Sequence, residues 1–219
     1  MFHLHVGRRQ RLLEPVMNRN RDAEHGFTLI ELMVVVGLIG VILMLVAPSF
    51  RDMILMQRLR GINAQVVADV AYARSEAISR GSFVQVRFQS TTGSSGMSCY
   101  IIYSRLDRNN TPQCDCTAPA GARCSNAGTV EVRTAQMPIA QSVLVSPPAI
   151  PAGSRTFYTI DPRTGGLLLP MVDSPGIPPD EFPIEVFIDA GRKFVNSVGL
   201  SGRVKVCAPI GSVVGGEAC

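Results

Sequence analysis

The sequence predicts an α+β chain. A long N-terminal helix, apolar in its first half and amphipathic in its second, packs on a C-terminal antiparallel β-sheet or sandwich. Three observations predict it. Residues 27–50, FTLIELMVVVGLIGVILMLVAPSF, carry one charge, Glu31. From Leu55 to Ala77 apolar residues return every three or four positions, the helical period. After Gly81 the period shortens toward two, and turn residues recur at short intervals.

The segment ahead of the apolar run, residues 1–26, holds five Arg against Glu14, Asp22 and Glu24. That excess favours a cytoplasmic N-terminus. At ~1.5 Å per residue the run 27–50 makes a helix of about 36 Å, enough to cross a hydrocarbon core. An ordinary signal peptide is one reading, with a small-residue cleavage site near Ala47-Pro48-Ser49, and a plain signal anchor is another. Two residues argue against both. Gly26 stands at the polar/apolar junction, and Glu31 lies inside the run. An ionised carboxylate in lipid costs about 2.5–3.5 kcal/mol, so such an acid is placed for a partner. Pro48 removes a backbone donor and crowds the preceding turn, so a kink or melted stretch is expected there.

The helix continues beyond Pro48. Leu55, Leu59, Ile62, Val66, Val70, Ala73 and Ala77 form one face. Arg58, Arg60, Asn63, Asp69, Arg74 and Glu76 lie largely off it, Met53 and Met56 read as packing, and Gly81 after Arg80 reads as the stop. The expected divisions are a leader over 1–26, the helix over 27–80 with 27–50 in the membrane, and a β-rich head over 81–219.

Candidate strands are Phe83–Phe88, Cys99–Ser104, Thr129–Thr134, Val143–Ser146, Arg155–Ile160, Ile184–Ile188, Arg192–Val198 and Arg203–Cys207. Turn signals at 93–96, 107–112, 147–148, 161–166 and 199–202 separate them. Short strands divided by turns fit an antiparallel sheet or sandwich. Residues 170–183 contain five prolines and read as a surface loop, with Asp180-Glu181 solvated in it. Residues 105–128 form an insertion with too little apolar content to fold alone.

That insertion holds Cys114, Cys116 and Cys124; the other cysteines are Cys99, Cys207 and Cys219. Six cysteines behind an export signal suggest three disulfides in an oxidising space such as the periplasm. A cysteine-only metal site over Cys114, Cys116 and Cys124 competes, although its spacing lacks the paired C-x2-C form. If disulfides form, Cys207 and Cys219 pair to tie back the tail. Cys99 then bonds within the 114/116/124 group, whose other two members join.

The string Gly26-Phe27-Thr28-Leu29-Ile30-Glu31-Leu32 resembles the prepilin peptidase site of type IV pilins and type II secretion pseudopilins. The resemblance implies a pilin-like fold, a cut between Gly26 and Phe27, and N-methylation of Phe27. It also implies that Glu31 docks on the N-terminal amine of a neighbouring subunit, where an ammonium in contact would favour the ionised acid. Pro48 falls where many pilins carry a helix-disrupting proline. The 26-residue leader is longer than many in the family, and Met17 offers a shorter start ending at the same Gly26. Three further stretches resemble GspH/FimT-type proteins: Thr156–Gly165, Ser201–Cys207, and Ala71-Tyr72-Ala73-Arg74-Ser75-Glu76-Ala77. Members are minor pilins or the minor pseudopilin H of type II secretion, thought to initiate or cap the filament. The implied partners are the prepilin peptidase, other pilins or pseudopilins, and the inner membrane before assembly. The implied location is a single-pass inner-membrane chain with a periplasmic head.

Composition removes much of enzyme chemistry. His3, His5 and His25 are the only histidines and all precede the expected cut. The remainder has no imidazole for a Ser-His or Cys-His pair. No cofactor is called for and no catalytic residue stands out. Beyond residue 26 the chain has 16 bases and 14 acids, too even to imply a polyanionic partner without a local patch. One local candidate exists. Some FimT-type proteins contact DNA through Gly-Arg-x-Arg in the closing hairpin; here the string is Gly202-Arg203-Val204-Lys205. Arg203 and Lys205, two apart on a strand, project from one face. Arg192 and Lys193 on the preceding strand would add charge. Lys lacks the guanidinium fork, so the second position departs from the pattern.

Overall fold

A computed structural model describes residues 26–91, 96–106, 114–124, 127–147, 156–169 and 180–219; side chains at 45–49 and 141 are outside that description. The leader before Gly26, the turns at 93–95 and 107–112, and the proline-rich 170–179 therefore lie outside the described residues.

The architecture is α+β. One helix, α1, spans Leu29–Arg80 and stops ahead of Gly81. Among the described residues nine strands follow: β1 Phe83–Thr91, β2 Met97–Arg105, β3 Thr129–Pro138, β4 Leu144–Ser146, β5 Phe157–Ile160, β6 Leu167–Leu168, β7 Glu181–Asp189, β8 Arg192–Gly199 and β9 Val204–Cys207. They make two sheets, one ordered β3-β2-β1-β5-β6 and the other β4-β7-β8-β9. Every pairing in both is antiparallel. The chain divides into two compact units, Met1–Val46 and Ala47–Cys219, so the second half of α1 belongs with the strands.

In the larger unit one core gathers side chains from three elements. Leu59, Val66, Val70, Ala73 and Ala77 come from α1. Val84, Val86, Phe88, Tyr100, Ile102 and Tyr158 come from the five-stranded sheet, and Phe182, Ile184, Val186 and Val198 from the four-stranded one. The alternation read from the sequence is the cause. β7 buries Phe182, Ile184 and Val186 and leaves the residues between them partly exposed, as a strand with one wet face must. Phe182 meets rings of the other sheet, with centroids 4.9 Å from Tyr158 and 5.9 Å from Phe88. The Ser98 hydroxyl donates to Val145 O at 2.6 Å and accepts from Val145 N at 2.8 Å, stitching β2 to β4.

The structure adds to and corrects the sequence reading. Asn63 and Asp69, read as lying off the apolar stripe, are buried. Asn196 Nδ2 donates to Asn63 Oδ1 at 2.8 Å, tying α1 to β8. Pro183 belongs to β7, opposite Ser197, and not to a loop. Among the described residues β4 pairs only with Glu185–Phe187, so Pro183 lies beyond that ladder, where a missing donor is tolerated. Glu181 likewise begins β7 and is partly buried. The two-residue β6 had no periodic signal to announce it. The helix runs through Pro48 without a melted stretch; the Pro48 side chain, to which the expected kink was assigned, lies outside the described residues.

Candidate assembly helix and basic hairpin

Residues 26–44 form a site by exposure. Phe27 is 83 % exposed, and every described apolar side chain from Leu29 to Met44 is exposed. Thr28 starts the helix: its hydroxyl accepts from Glu31 N at 3.3 Å, and its carbonyl accepts from Leu32 N at 3.2 Å. Thr28-Leu29-Ile30-Glu31 has the capping-box spacing, which places the acid in the first turn where the helix dipole favours it. Glu31 is therefore held in the first turn of the helix, four residues after Phe27. An apolar surface this long needs cover. Among the described residues no helix is long and apolar enough to cross a membrane; side chains 45–49, inside the run read from the sequence, are not among them.

The second candidate is the hairpin of β8 and β9. Lys205 lies opposite Ser197, and Val204 opposite Val198. The turn is closed by Gly202 N donating to Gly199 O at 2.8 Å and by Gly199 N donating to Arg203 O at 3.0 Å. Arg203 and Lys205 are both exposed, with Val204 and Val206 partly buried between and beside them. Neither base forms an ion pair among the described residues.

Arg192 and Lys193 do not join them. Lys193 precedes Ser197 by four strand residues, roughly 13 Å. Arg192 is held by Asp189 at 2.6 Å and reaches Asp52 at 3.4 Å; Lys193 pairs with Glu185 at 2.9 Å. The Arg192 guanidinium holds the Asp189 carboxyl below its ordinary value. These two bases are neutralised locally, so the expected four-residue patch reduces to Arg203 and Lys205.

The cysteines are all paired, Cys99 with Cys116, Cys114 with Cys124, and Cys207 with Cys219. The first fastens the insertion to β2 and the second closes the insertion on itself; Ile101 and Tyr103 complete a second small core with these cysteines. Asp115 and Glu131 order this region. The Thr117 hydroxyl and amide hold Asp115 below the ordinary carboxylate range. Burial alone would raise Glu131, but hydrogen bonds from Thr134 and Arg123 and the Arg123 charge hold it down.

Residues 21–47 match the prokaryotic N-terminal methylation motif. Residues 64–174 match the family described as type II transport protein GspH, about half the chain. The chain belongs to the GspH family. No curated protein and no solved structure matches it. GspH-type proteins are pilin-like structural components. The methylation motif implies processing by the prepilin peptidase and assembly with other pilins or pseudopilins. The family match runs from the second half of α1 to just past β6. The β8–β9 hairpin of this GspH-family chain lies outside it, so its two bases rest on geometry alone.

Sequence reasoning missed Arg74. It lies beside the buried stripe, one residue after Ala73, and was read only as lying off that stripe. The structure folds two turns over it. At Gly165, φ is +65°, and a Cβ would come within 2.8 Å of Arg74 Nε; at Gly202, φ is +74°, and a Cβ would come within 3.2 Å of Arg74 Cδ and 2.6 Å of Gly165 O. Leu167 N donates to Leu200 O at 2.8 Å and zips the turns together. The two glycine-bearing strings that resembled the family thus converge on one side chain. Arg74 and Arg203 line a groove of about 530 Å³ between α1 and the hairpin.

Proposed function

We propose that this chain is a minor pilin, built into a type IV pilus, that helps initiate or cap the filament. In this reading residues 1–26 are a leader removed between Gly26 and Phe27, and Phe27 is then N-methylated. Residues 27–50 hold the chain in the inner membrane as a single pass, with residues 81–219 in the periplasm, until assembly moves the helix into the filament. Glu31 docks on the terminal amine of a neighbouring subunit, which offsets its desolvation. The observation that carries this is the lone acid Glu31 in the first turn of a helix whose described side chains to Met44 are otherwise uncharged and exposed. Lipid covers that surface before assembly and sibling helices cover it afterwards.

N-terminal sequencing of the membrane-extracted protein, with and without the peptidase, tests it. Methylated Phe27 as first residue is expected. So is loss of filament incorporation by Glu31→Gln. A different first residue, or full incorporation of that variant, overturns the reading.

The family description itself favours a second reading, a minor pseudopilin of a type II secretion system. Deleting the chain separates them: loss of surface pili supports the first, and loss of protein export with pili intact supports the second.

We further propose that the hairpin contacts DNA during natural transformation. Arg203, at the entry to β9, and Lys205 within β9 are both exposed and in no ion pair among the described residues. Such a pair binds phosphates without base specificity and weakens as salt rises. The full chain in detergent should bind DNA with a negative salt slope that Arg203→Gln reduces. Absent or salt-insensitive binding ends the idea.

A further inference from the structure

We propose that the groove between α1 and the β8–β9 hairpin seats the phosphodiester backbone of a single nucleic-acid strand, with Arg74 as a contact on the helix side. The proposal rests on the DNA reading above and extends it from two hairpin bases to a built site.

Four observations carry it. First, Nε of Arg74 is buried and has no hydrogen-bond partner among the described residues. Arg74 is also absent from every ion pair among them. Burying part of a cation without a counter-charge is costly, so a site of this kind favours an anion. Second, Arg74 is not free to swing away, because the turns at Gly165 and Gly202 close on its stem and Nε. A guanidinium held in place loses little entropy on binding. Third, the lining includes Arg74 and Arg203 and contains no carboxylate. Its other walls are mostly apolar, with Val67, Ala71 and Ile78 on the helix and Val204 on the strand, and Ser75 as the remaining polar side chain.

Fourth, Lys205, exposed in β9 two residues after Arg203, adds a third cation beside the groove, about 7 Å further along an extended chain. A row of three cations suits a polymer that repeats its anion at every backbone unit better than a single carboxylate. The one hydroxyl in the wall, Ser75, already donates to Tyr72 O at 2.8 Å, and the rest of the wall is apolar, so binding would be indifferent to sequence. A groove of about 530 Å³ takes in one strand; a duplex meets only its rim.

The test is anisotropy of a fluorescein-labelled oligothymidylate titrated with the full chain in detergent over a range of salt. Arg74→Gln is expected to weaken binding about tenfold, the worth of one charged hydrogen bond. It should also reduce the steepness of log K against log salt by about 0.7, one phosphate on a single strand. Because Arg74 supports two turns, Ser75→Glu is the second variant. Ser75 is an exposed position in the groove wall, so the substitution adds an acid without removing packing. It should abolish binding while the circular dichroism and thermal midpoint stay at parent values. Stronger binding of the strand than of its duplex also supports the site. If Arg203→Gln loses affinity while Arg74→Gln and Ser75→Glu keep it, the groove is not the site, and the hairpin reading survives alone. If the parent binds no DNA, the hairpin reading falls as well. If a labelled polyglutamate binds in an Arg74-dependent way and the oligonucleotide does not, the groove takes acidic protein segments and the proposal is overturned.

Discussion

Tyr100 of β2 donates a 2.6 Å hydrogen bond to Oδ2 of Asp69, a nearly fully buried acid on α1. Arg133 of β3 reaches the same oxygen at 3.1 Å from a half-exposed position. An acid on a helix face that packs into the core is thus satisfied by two strands of one sheet. Burial, then the hydrogen bond to Asp69, push the Tyr100 phenol far above its ordinary value, so it stays a donor well into the alkaline range. Removing the donor leaves the carboxylate short of a partner. Tyr100→Phe is expected to cost about 1.5–3 kcal/mol, the range for a hydrogen bond to a charged group. Urea unfolding of the parent and variant measures it; a change under about 0.5 kcal/mol would mean that water replaces the phenol.

The two turns over Arg74 make a second prediction. Gly202→Ala places a methyl 2.6 Å from a backbone oxygen at φ +74°. The left-handed backbone alone costs about 1–2 kcal/mol, and the overlap with a rigid carbonyl adds to it. Gly61 is the control. It sits in the helix interior, exposed, with nothing within 4 Å of an added Cβ. Gly61→Ala should stabilise by about 0.5–1 kcal/mol. Opposite shifts of the urea midpoint are the expected result.

How much was legible follows from where each partner sits along the chain. The buried face of α1 was readable because its period is local: Leu59, Val66, Val70, Ala73 and Ala77 announce themselves within one element. The alternation in β1, β7 and β8 was readable for the same reason. What failed depended on distant residues. Asn63 is buried because Asn196 meets it 133 positions later, and Asp69 because Tyr100 meets it 31 positions later. Nothing near either residue encodes that. Arg192 and Lys193 looked like free charge until the fold brought Asp189, Asp52 and Glu185 to them. Arg74 was hidden by a boundary effect, since a residue at the margin of an apolar stripe is covered or not according to what lies above it. Here two glycine turns do.

Acid should loosen the cysteine-rich insertion before the main core. Asp115 and Glu131 both titrate below the ordinary carboxylate range in the folded chain. A depressed folded value means that the unfolded chain binds the proton more readily. The stabilisation is then fully present above the ordinary range and is lost as pH falls through it toward the depressed values. Amide exchange at 114–124 and 129–134 should rise below about pH 4 while β7 and β8 stay protected. Thr117→Val removes one donor to Asp115 and should move that rise toward higher pH. An unmoved profile would show that Asp115 does not govern it.

The three disulfides should yield to reductant in a set order. Exchange needs a thiolate to reach a sulfur in line with the bond. Cys99 and Cys116 are both fully buried, and Cys114 is nearly so. Cys219 is exposed, although Cys207 is buried. The tail it anchors is also held by Arg60 Nη2 donating to Val214 O at 3.4 Å, by Val213 N donating to Gly191 O at 3.0 Å, by Ala208 N donating to Glu217 O at 2.8 Å and by the buried Val214, so its cysteines are reached first because Cys219 is exposed. Dithiothreitol under native conditions, followed by alkylation and mass spectrometry, should label Cys207 and Cys219 first. Cys114 and Cys124 should follow, because Cys124 is only partly buried. Cys99 and Cys116 should react last, and only as fast as β2 and the insertion separate. Deleting the Cys99–Cys116 bond by paired Ser substitution frees a 17-residue separation, worth about 3 kcal/mol on loop-entropy grounds. If Cys99 and Cys116 are labelled as early as Cys219, the insertion opens independently of the sheet and its small core contributes little.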